Sequence, residues 1–208
     1  MLRVLFLILL AMSSFVFAQT EEKPKAYLSD EFETATNGYV KMKMDAVYTE
    51  LNNNPTAQGY FINYGTPKDI AIREKQIKDA IRFRKNDASR ITLVNGGFRG
   101  IVKTEFWIVP SGAESPQIET TARKIDELDK AYPGEIKAAI DSFYIELNNA
   151  LDYKGYIVIS GSATNVSTRE KLIKNALAFR KYDLTRVTFI KIITKTKIKT
   201  EFWMDLSK

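Results

Sequence analysis

Apolar residues recur along this chain first at a helical period, then at a strand period, in an order that is used twice. Val40, Met44, Val47, Tyr48 and Leu51 stand at i, i+4, i+7, i+8 and i+11, which places them on one stripe of a helix over residues 39–52. The run Asn52-Asn53-Asn54-Pro55 stops that helix. Tyr60 to Tyr64 reads as a strand ended by Gly65 and Pro67. Ile70, Ile77, Ala80 and Ile81 share a stripe of a second amphipathic helix over residues 70–85. Residues 90–94 and 102–109 are two β-rich runs joined through Asn95-Gly96-Gly97-Phe98-Arg99-Gly100, which predicts a hairpin. The order is α-β-α-β-β, and the same pattern returns from Ile136 to Leu206.

The recurrence is a duplication. Residues 30–109 and 126–205 align without a gap at an offset of 96, with 31 of 80 pairs identical. Identical blocks include Asp30-Glu31 with Asp126-Glu127, Arg73-Glu74-Lys75 with Arg169-Glu170-Lys171, and Lys103-Thr104-Glu105-Phe106-Trp107 with Lys199-Thr200-Glu201-Phe202-Trp203. The expected fold class is therefore α+β, two tandem αβαββ modules, each with two helices on one face of a small mixed sheet. Repeat 1 spans residues 27–110 and repeat 2 residues 122–208. Residues 111–121, with the turn and linker composition Ser-Gly-Ala-Glu-Ser-Pro-Gln-Ile-Glu-Thr-Thr, form a linker, and residues 19–26 a mobile N-terminus.

Alternation along the last strand puts Val102, Thr104, Phe106 and Ile108 on one face and Lys103, Glu105 and Trp107 on the other, with the same division in repeat 2. The Phe row belongs under the helices, so Trp107 and Trp203 fall on the far face of each sheet. Two readings stand: the far faces of the repeats pack on each other, supplying burial that small repeats lack, or each Trp lines a binding surface.

Composition is that of an ordinary globular chain, 45% hydrophobic and 27% charged. Residues 1–18 carry Arg3, an apolar run from Val4 to Leu10, and Val16-Phe17-Ala18 before Gln19, the pattern of a cleaved secretory signal. The expected location is periplasmic or secreted, with no transmembrane segment after cleavage and no lipid-attachable cysteine. Loss of Arg3 leaves 30 basic against 25 acidic side chains. That small excess suits an anionic envelope polymer and argues against nucleic acid. The chain has no His and no Cys, which removes imidazole and thiol catalysis and nearly all zinc sites. Asp30-Glu31 and Asp126-Glu127, read as part of an N-terminal turn, do not form a carboxylate pair across a cleft. The chain is expected to be no enzyme and to need no cofactor or metal.

The second helix reads Arg73-Glu74-Lys75-Gln76-Ile77-Lys78-Asp79-Ala80-Ile81, and Arg169 to Leu177 follows suit. With the α-β-α-β-β order, this Arg-x-x-x-apolar-x-x-Ala/Tyr-apolar run resembles the OmpA-like domain, the periplasmic module that holds outer membranes to peptidoglycan. The whole pattern is also similar to exported bacterial proteins of unassigned function. The resemblance covers each repeat in topology and this helix in motif. It implies a fold and an affinity for peptidoglycan, whose diaminopimelate end that family grips with an Asp after the strand and the helix Arg. Only the Arg carries over, because Tyr64-Gly65 and Ser160-Gly161 stand where the Asp would be.

Arg73 and Arg84 lie on the apolar stripe of their helix, where a guanidinium needs a fixed partner. Candidates are Glu105 or Asp30 for Arg73, and Asp45 or Glu50 for Arg84. Alternatively, Arg73 and Arg169 clamp a ligand carboxylate. Lys191, Lys195, Lys197 and Lys199 crowd the predicted second hairpin, where Arg99 stands in the first. They either bind an anionic polymer or guard an edge strand. Tyr60, Tyr64, Tyr156 and the two Trp are either core or a sugar-stacking platform. The expected function is an exported, non-catalytic envelope binding or scaffolding protein that contacts peptidoglycan or another anionic polymer; the alternative is a structural module for an envelope protein partner without peptidoglycan affinity.

Overall fold

The computed structural model describes residues 23–118 and 120–206. The expected signal sequence and the first residues of the expected mobile N-terminus lie outside them. Repeat 1 runs β1 (Tyr27–Phe32), α1 (Asn37–Asn53), β2 (Gln58–Tyr64), α2 (Pro67–Arg84), β3 (Ile91–Gly97) and β4 (Lys103–Val109). Repeat 2 runs β5 (Arg123–Leu128), α3 (Pro133–Asn149), β6 (Tyr153–Gly161), α4 (Ala163–Arg180), β7 (Val187–Ile193) and β8 (Lys199–Leu206). The αβαββ series is present in both repeats, each preceded by one further strand. Asp30-Glu31 and Asp126-Glu127 therefore sit in β1 and β5, not in a turn.

Each sheet has four strands, in the orders β1-β4-β2-β3 and β5-β8-β6-β7. The pairs β2/β3 and β6/β7 are parallel; all others are antiparallel. This order corrects the predicted hairpins. β3 and β4 do not pair, because β2 lies between them, and the segment after β3 must pass over the end of the sheet to reach β4. The parallel pair is closed by a helical crossover, as parallel pairs require.

Local signals set the helix ends. Thr66 accepts from the Asp69 N–H and donates with its own N–H and Oγ1 to the Asp69 carboxylate, a reciprocal cap, and Pro67 fills the first helical position without wasting a donor. Pro67 thus opens α2, three residues before the first apolar residue of its stripe. Ser162 caps α4 by accepting from the Asn165 N–H. Lys85 and Lys181 end these helices in the left-handed region.

Both helices of each repeat cover one sheet face. The first core joins Val40, Met44, Val47, Leu51, Ile77 and Ile81 to Phe61, Phe106 and Ile108, and the second joins Ile140, Phe143, Leu147, Ile173 and Leu177 to Ile157, Phe202 and Met204. The Phe row is the core face in both. Each such fully buried side chain contributes roughly 1.5–3 kcal/mol relative to exposure, so each repeat has a core of its own. Tyr48 and Tyr144, at matched positions, donate to the Asp87 and Asp183 carbonyls at 2.8 and 2.9 Å and tie the first helix to the turn before the third strand. Burial pushes both phenols up to about 12. A third apolar cluster, Phe98 with Ala122, Tyr156, Val158 and Ile192, joins one repeat to the other.

Candidate functional site

The faces turned away from the helices decide what each repeat presents. In repeat 2 that face carries Tyr156, Val158, Ile190, Ile192 and Trp203, and the segment between β3 and β4 of repeat 1 lies on it. Phe98 stacks on Trp203 with centroids 4.5 Å apart and planes at 20°, and meets Tyr156 edge-on at 5.9 Å. Gly100 approaches so closely that a Cβ there would fall 1.9 Å from the Tyr156 ring. Its N–H donates to Asp205 Oδ2 at 3.1 Å, while Thr121 Oγ1 donates to Asp205 Oδ1 at 2.7 Å. The buried carboxylate of Asp205 thereby fastens both the docked segment and the end of the linker.

The far face of repeat 1 is occupied differently. Trp107, Glu105, Lys103 and Tyr64 line a half-open cavity of about 600 Å³, walled by Arg99, by Lys23 to Ala26, and by linker residues Gly112 and Glu114 to Gln117. Register explains the grouping: Tyr64 stands opposite Lys103, Ile62 opposite Glu105, and Tyr60 opposite Trp107. Tyr64 is nearly fully buried because it lies over Gly96, where a Cβ would come within 2.4 Å of its ring. The Arg99 guanidinium covers the ring at 4.4 Å.

Glu105 is the hub. One oxygen accepts from Trp107 Nε1 at 3.1 Å and from Tyr64 Oη at 3.3 Å; the other meets Lys103 Nζ at 3.0 Å. Lys103 also reaches Glu31 at 2.7 Å. Burial by itself drives the Glu105 carboxyl upward, but the hydrogen bonds from Lys103, Trp107 and Tyr64 outweigh it and hold the group below the usual range. For Lys103, burial pushes down and the two carboxylates outweigh it, so its ammonium is held above the usual range. The floor of the cavity is thus ionised and engaged in internal bonds, while its rim carries Arg99, Lys23 and Lys25 against Glu114.

The far faces of the two sheets therefore do not pack on each other. Trp203 meets the other repeat through the β3–β4 segment. Trp107 lines a cavity instead. The indole N–H of Trp203 is buried without a hydrogen-bond partner, whereas that of Trp107 is satisfied by Glu105. Of the aromatic set, Tyr156 is buried in the inter-repeat cluster and Tyr60 is half-buried.

Arg73 and Arg169 are 3% and 6% exposed, and neither takes an acidic partner among the described residues. Arg73 donates to Thr104 Oγ1 at 2.7 Å, to the Glu33 carbonyl at 2.8 Å and to Gln76 Oε1 at 3.1 Å, and stacks on Phe32. Arg169 donates to Thr200 Oγ1 at 2.9 Å and to the Asp129 carbonyl at 3.0 Å. The expected ion pair of Arg73 with Glu105 or Asp30 is absent: Glu105 projects to the opposite sheet face, and Asp30 pairs with Lys43. The guanidinium instead pins the loop after the first strand to the last strand, and burial lowers its proton affinity. Arg84 does bind Asp45, at 2.6 Å, as expected, and Arg180 repeats this with Asp141 at 2.7 Å.

Lys195 and Lys197 are exposed in the segment between β7 and β8 and do not line the Trp107 cavity, so the charged candidates are not brought together; Arg99 alone among them reaches it. Lys191, on an edge strand, pairs with Glu170 at 3.1 Å. The cavity walls from residues 23–26 and 112–117 escape sequence reasoning, since their composition signals only linker and terminus. Among the described residues no helix is long and apolar enough to cross a membrane, and no group of three or more His, Cys, Asp or Glu side chains is placed to hold a metal ion. Comparison of the chain with protein-family models, and with curated proteins, finds no match.

Proposed function

We propose that this is an exported, non-catalytic envelope-binding protein whose ligand site is the cavity on the far face of the first sheet, with the second repeat serving as its scaffold. The observation that carries this reading is the unequal treatment of two equivalent faces: one receives Phe98 stacked on its tryptophan, the other bears a half-open cavity with an aromatic ring, an ionised hub and a basic rim. Its size falls within the range of small-ligand pockets, about 300–1,000 Å³. The cationic rim suits peptidoglycan or another anionic envelope polymer, and the modest excess of positive charge agrees. An OmpA-like fold for each repeat is part of the proposal, supported by element order and by the shared helix motif. Arg73 and Arg169 enter it as frame residues, since their donors are committed within the fold.

Retention on purified sacculi tests the reading. The mature chain is expected to be retained, retention is expected to drop with Trp107→Ala and with the Lys23→Ala/Lys25→Ala pair, and free diaminopimelate is expected not to compete. Retention unchanged by either variant would overturn the assignment of the cavity.

A second reading, a module for an envelope protein partner, rests on a different surface. Between α3 and α4 a groove is lined by Ile136, Leu172, Ala176 and Phe179, with Phe179 80% exposed. At the matched positions in repeat 1, Gln76 stands for Leu172, and Lys41 covers Phe83 at 3.9 Å. No sacculus retention, with wild-type Phe179 required for capture of an envelope protein, would favour that reading.

A further inference from the structure

We infer that the groove between α3 and α4 receives an acidic amphipathic helix of a partner protein, with apolar side chains seated between the two helices and carboxylates over Lys137 and Lys171. This rests on the second reading above, in which the groove is a partner surface, and names the chemistry of that partner; it is independent of the Trp107 cavity.

The repeats treat the matched groove in opposite ways. In repeat 1 its own polar side chains close it: Gln76 Nε2 on α2 donates to Asn37 Oδ1 at the start of α1 at 2.8 Å, and Lys41 lies over the Phe83 ring at 3.9 Å. Asp79 binds both Lys75 and Arg82 at 2.7 Å. At the offset of 96, Asn37 becomes Pro133, Gln76 becomes Leu172, Asp79 becomes Asn175 and Arg82 becomes Ala178. Every one of those polar contacts except that of the lysine with the ring loses a partner. What remains is a groove of about 310 Å³ with a buried floor of Ile136 and Ala176, and with Pro133, Leu172 and Phe179 around it. The Phe179 ring is 80% exposed. A recessed apolar floor beside a protruding ring is the form in which one helix takes the apolar face of another.

Charge selects the occupant. The change of Asp79 to Asn175 takes away the acid four residues after Lys171, the position that Lys75 uses in repeat 1, and the acid that lines the groove with Lys41. Lys137 lines the repeat 2 groove, where no acid does, and Lys171 precedes Leu172. Neither lysine takes an ion pair among the described residues. The acids of these two helices are all committed: Glu135 accepts from the Tyr132 N–H, Asp141 binds Arg180 and Tyr182, Glu146 binds Arg123, and Glu170 binds Lys174 and Lys191. The substitution that strips the groove of its acid therefore leaves two ammonium groups beside it.

A second copy of this chain, docked by the same face, would bring like charges together across the two-fold axis. A bilayer surface would meet the lysines and the ring but not the recessed floor. An added strand would find no edge, since the backbones of α3 and α4 are hydrogen-bonded within themselves. A helix with leucine-like residues along one stripe and carboxylates on its flanks meets the floor, the ring and both lysines together.

The test is fluorescence anisotropy of labelled peptides titrated with the mature full-length chain. Three peptides of about 18 residues, roughly five helical turns, carry leucine in one helical stripe and differ only in the flanking positions, which are glutamate, glutamine or lysine. The glutamate peptide is expected to bind saturably, the glutamine peptide roughly tenfold more weakly, and the lysine peptide more weakly still, with the differences shrinking at high salt. Phe179→Ala is expected to weaken the glutamate peptide roughly tenfold. Asn175→Asp, which restores the repeat 1 acid at an exposed position, is expected to weaken it about threefold, with the circular dichroism spectrum and sacculus retention unchanged in both variants. Equal binding of the three peptides, or none by the glutamate peptide, overturns the inference. So does self-association of the chain that Phe179→Ala abolishes, which assigns the groove to a second copy, or Phe179-dependent binding to phosphatidylglycerol vesicles with no peptide bound, which assigns it to a membrane. Should the peptides fail while capture of an envelope protein still requires Phe179, the groove stands as a partner surface and only the class of partner is wrong.

Discussion

Trp107 and Trp203 hold the same register position in two sheets of one topology, each flanked by the same Lys-Thr-Glu-Phe run, and their surroundings differ at few places. Tyr64 with Gly96 in repeat 1 becomes Ser160 with Ile192 in repeat 2. The first pair lays a phenol over a glycine and sends its hydroxyl to Glu105; the second removes the phenol and adds an aliphatic side chain to the patch that receives Phe98. The segment after the third strand changes in parallel, Phe98-Arg99-Gly100 against Thr194-Lys195-Thr196. Thr196 has the Cβ that Gly100 lacks, so the second segment cannot make the same close approach to a tyrosine. The plug is thus present in one repeat only, since Thr194 stands at the position matching Phe98. Among the many differences between the repeats, these few on the far sheet face decide which tryptophan is stacked and which lines a cavity.

The comparison can be broken most severely at the frame that both halves share. Arg73→Ala and Arg169→Ala each leave a carbonyl and a threonine hydroxyl without their buried donor and open a cavity, and each is expected to cost about 3 kcal/mol or more in urea denaturation. Similar losses in the two repeats would confirm a common structural role; a loss in one only would show that the arginines have diverged. Next in size is the docking contact. Phe98→Ala removes a stacked ring from Trp203 and is expected to cost about 3 kcal/mol, with the single unfolding transition splitting in two. Thr194→Ala, the matched change in repeat 2, is expected to stay within about 0.5 kcal/mol.

The smallest effect sharpens the polar side of the contrast. Because Glu105 is held below the usual carboxylate range when folded, its contribution to stability is complete above the ordinary glutamate value, about 4.3, and is lost as pH falls through the folded value. Glu105→Gln is therefore expected to flatten the acid limb of the stability profile below that pH. Identical acid limbs for the two proteins in thermal melts would show that the hub contributes no proton linkage.

Much of the frame is legible from single residues. The stripes of Val40 to Leu51 and Ile70 to Ile81, the Phe face of the last strand and the pairing of Arg84 with an acid in the facing helix all follow from period and spacing. β1 is not, because Tyr-Leu-Ser-Asp-Glu-Phe lies at a sheet edge and shows little apolar alternation. The expected hairpin fails because Gly-Gly is a turn signal that says nothing of which strand inserts between its neighbours. The buried arginines illustrate a further limit. Asp and Glu can be sought by name, but the acceptor Arg73 found is the carbonyl of Glu33, a group that every residue carries.

The sequence by itself determined the duplication, the helices and their apolar stripes, and the presence of a tryptophan on the far side of each sheet, because these depend on contacts within a few turns or on a period of two. Tertiary structure alone decided that β2 separates β3 from β4, that Phe98 stacks on one tryptophan and that the linker and residues 23–26 wall in the other. Those outcomes join residues as far apart as Gly100 and Asp205. Which of two nearly equal surfaces is covered turns on shape and on unpaired polar groups across that distance, and no local pattern records either.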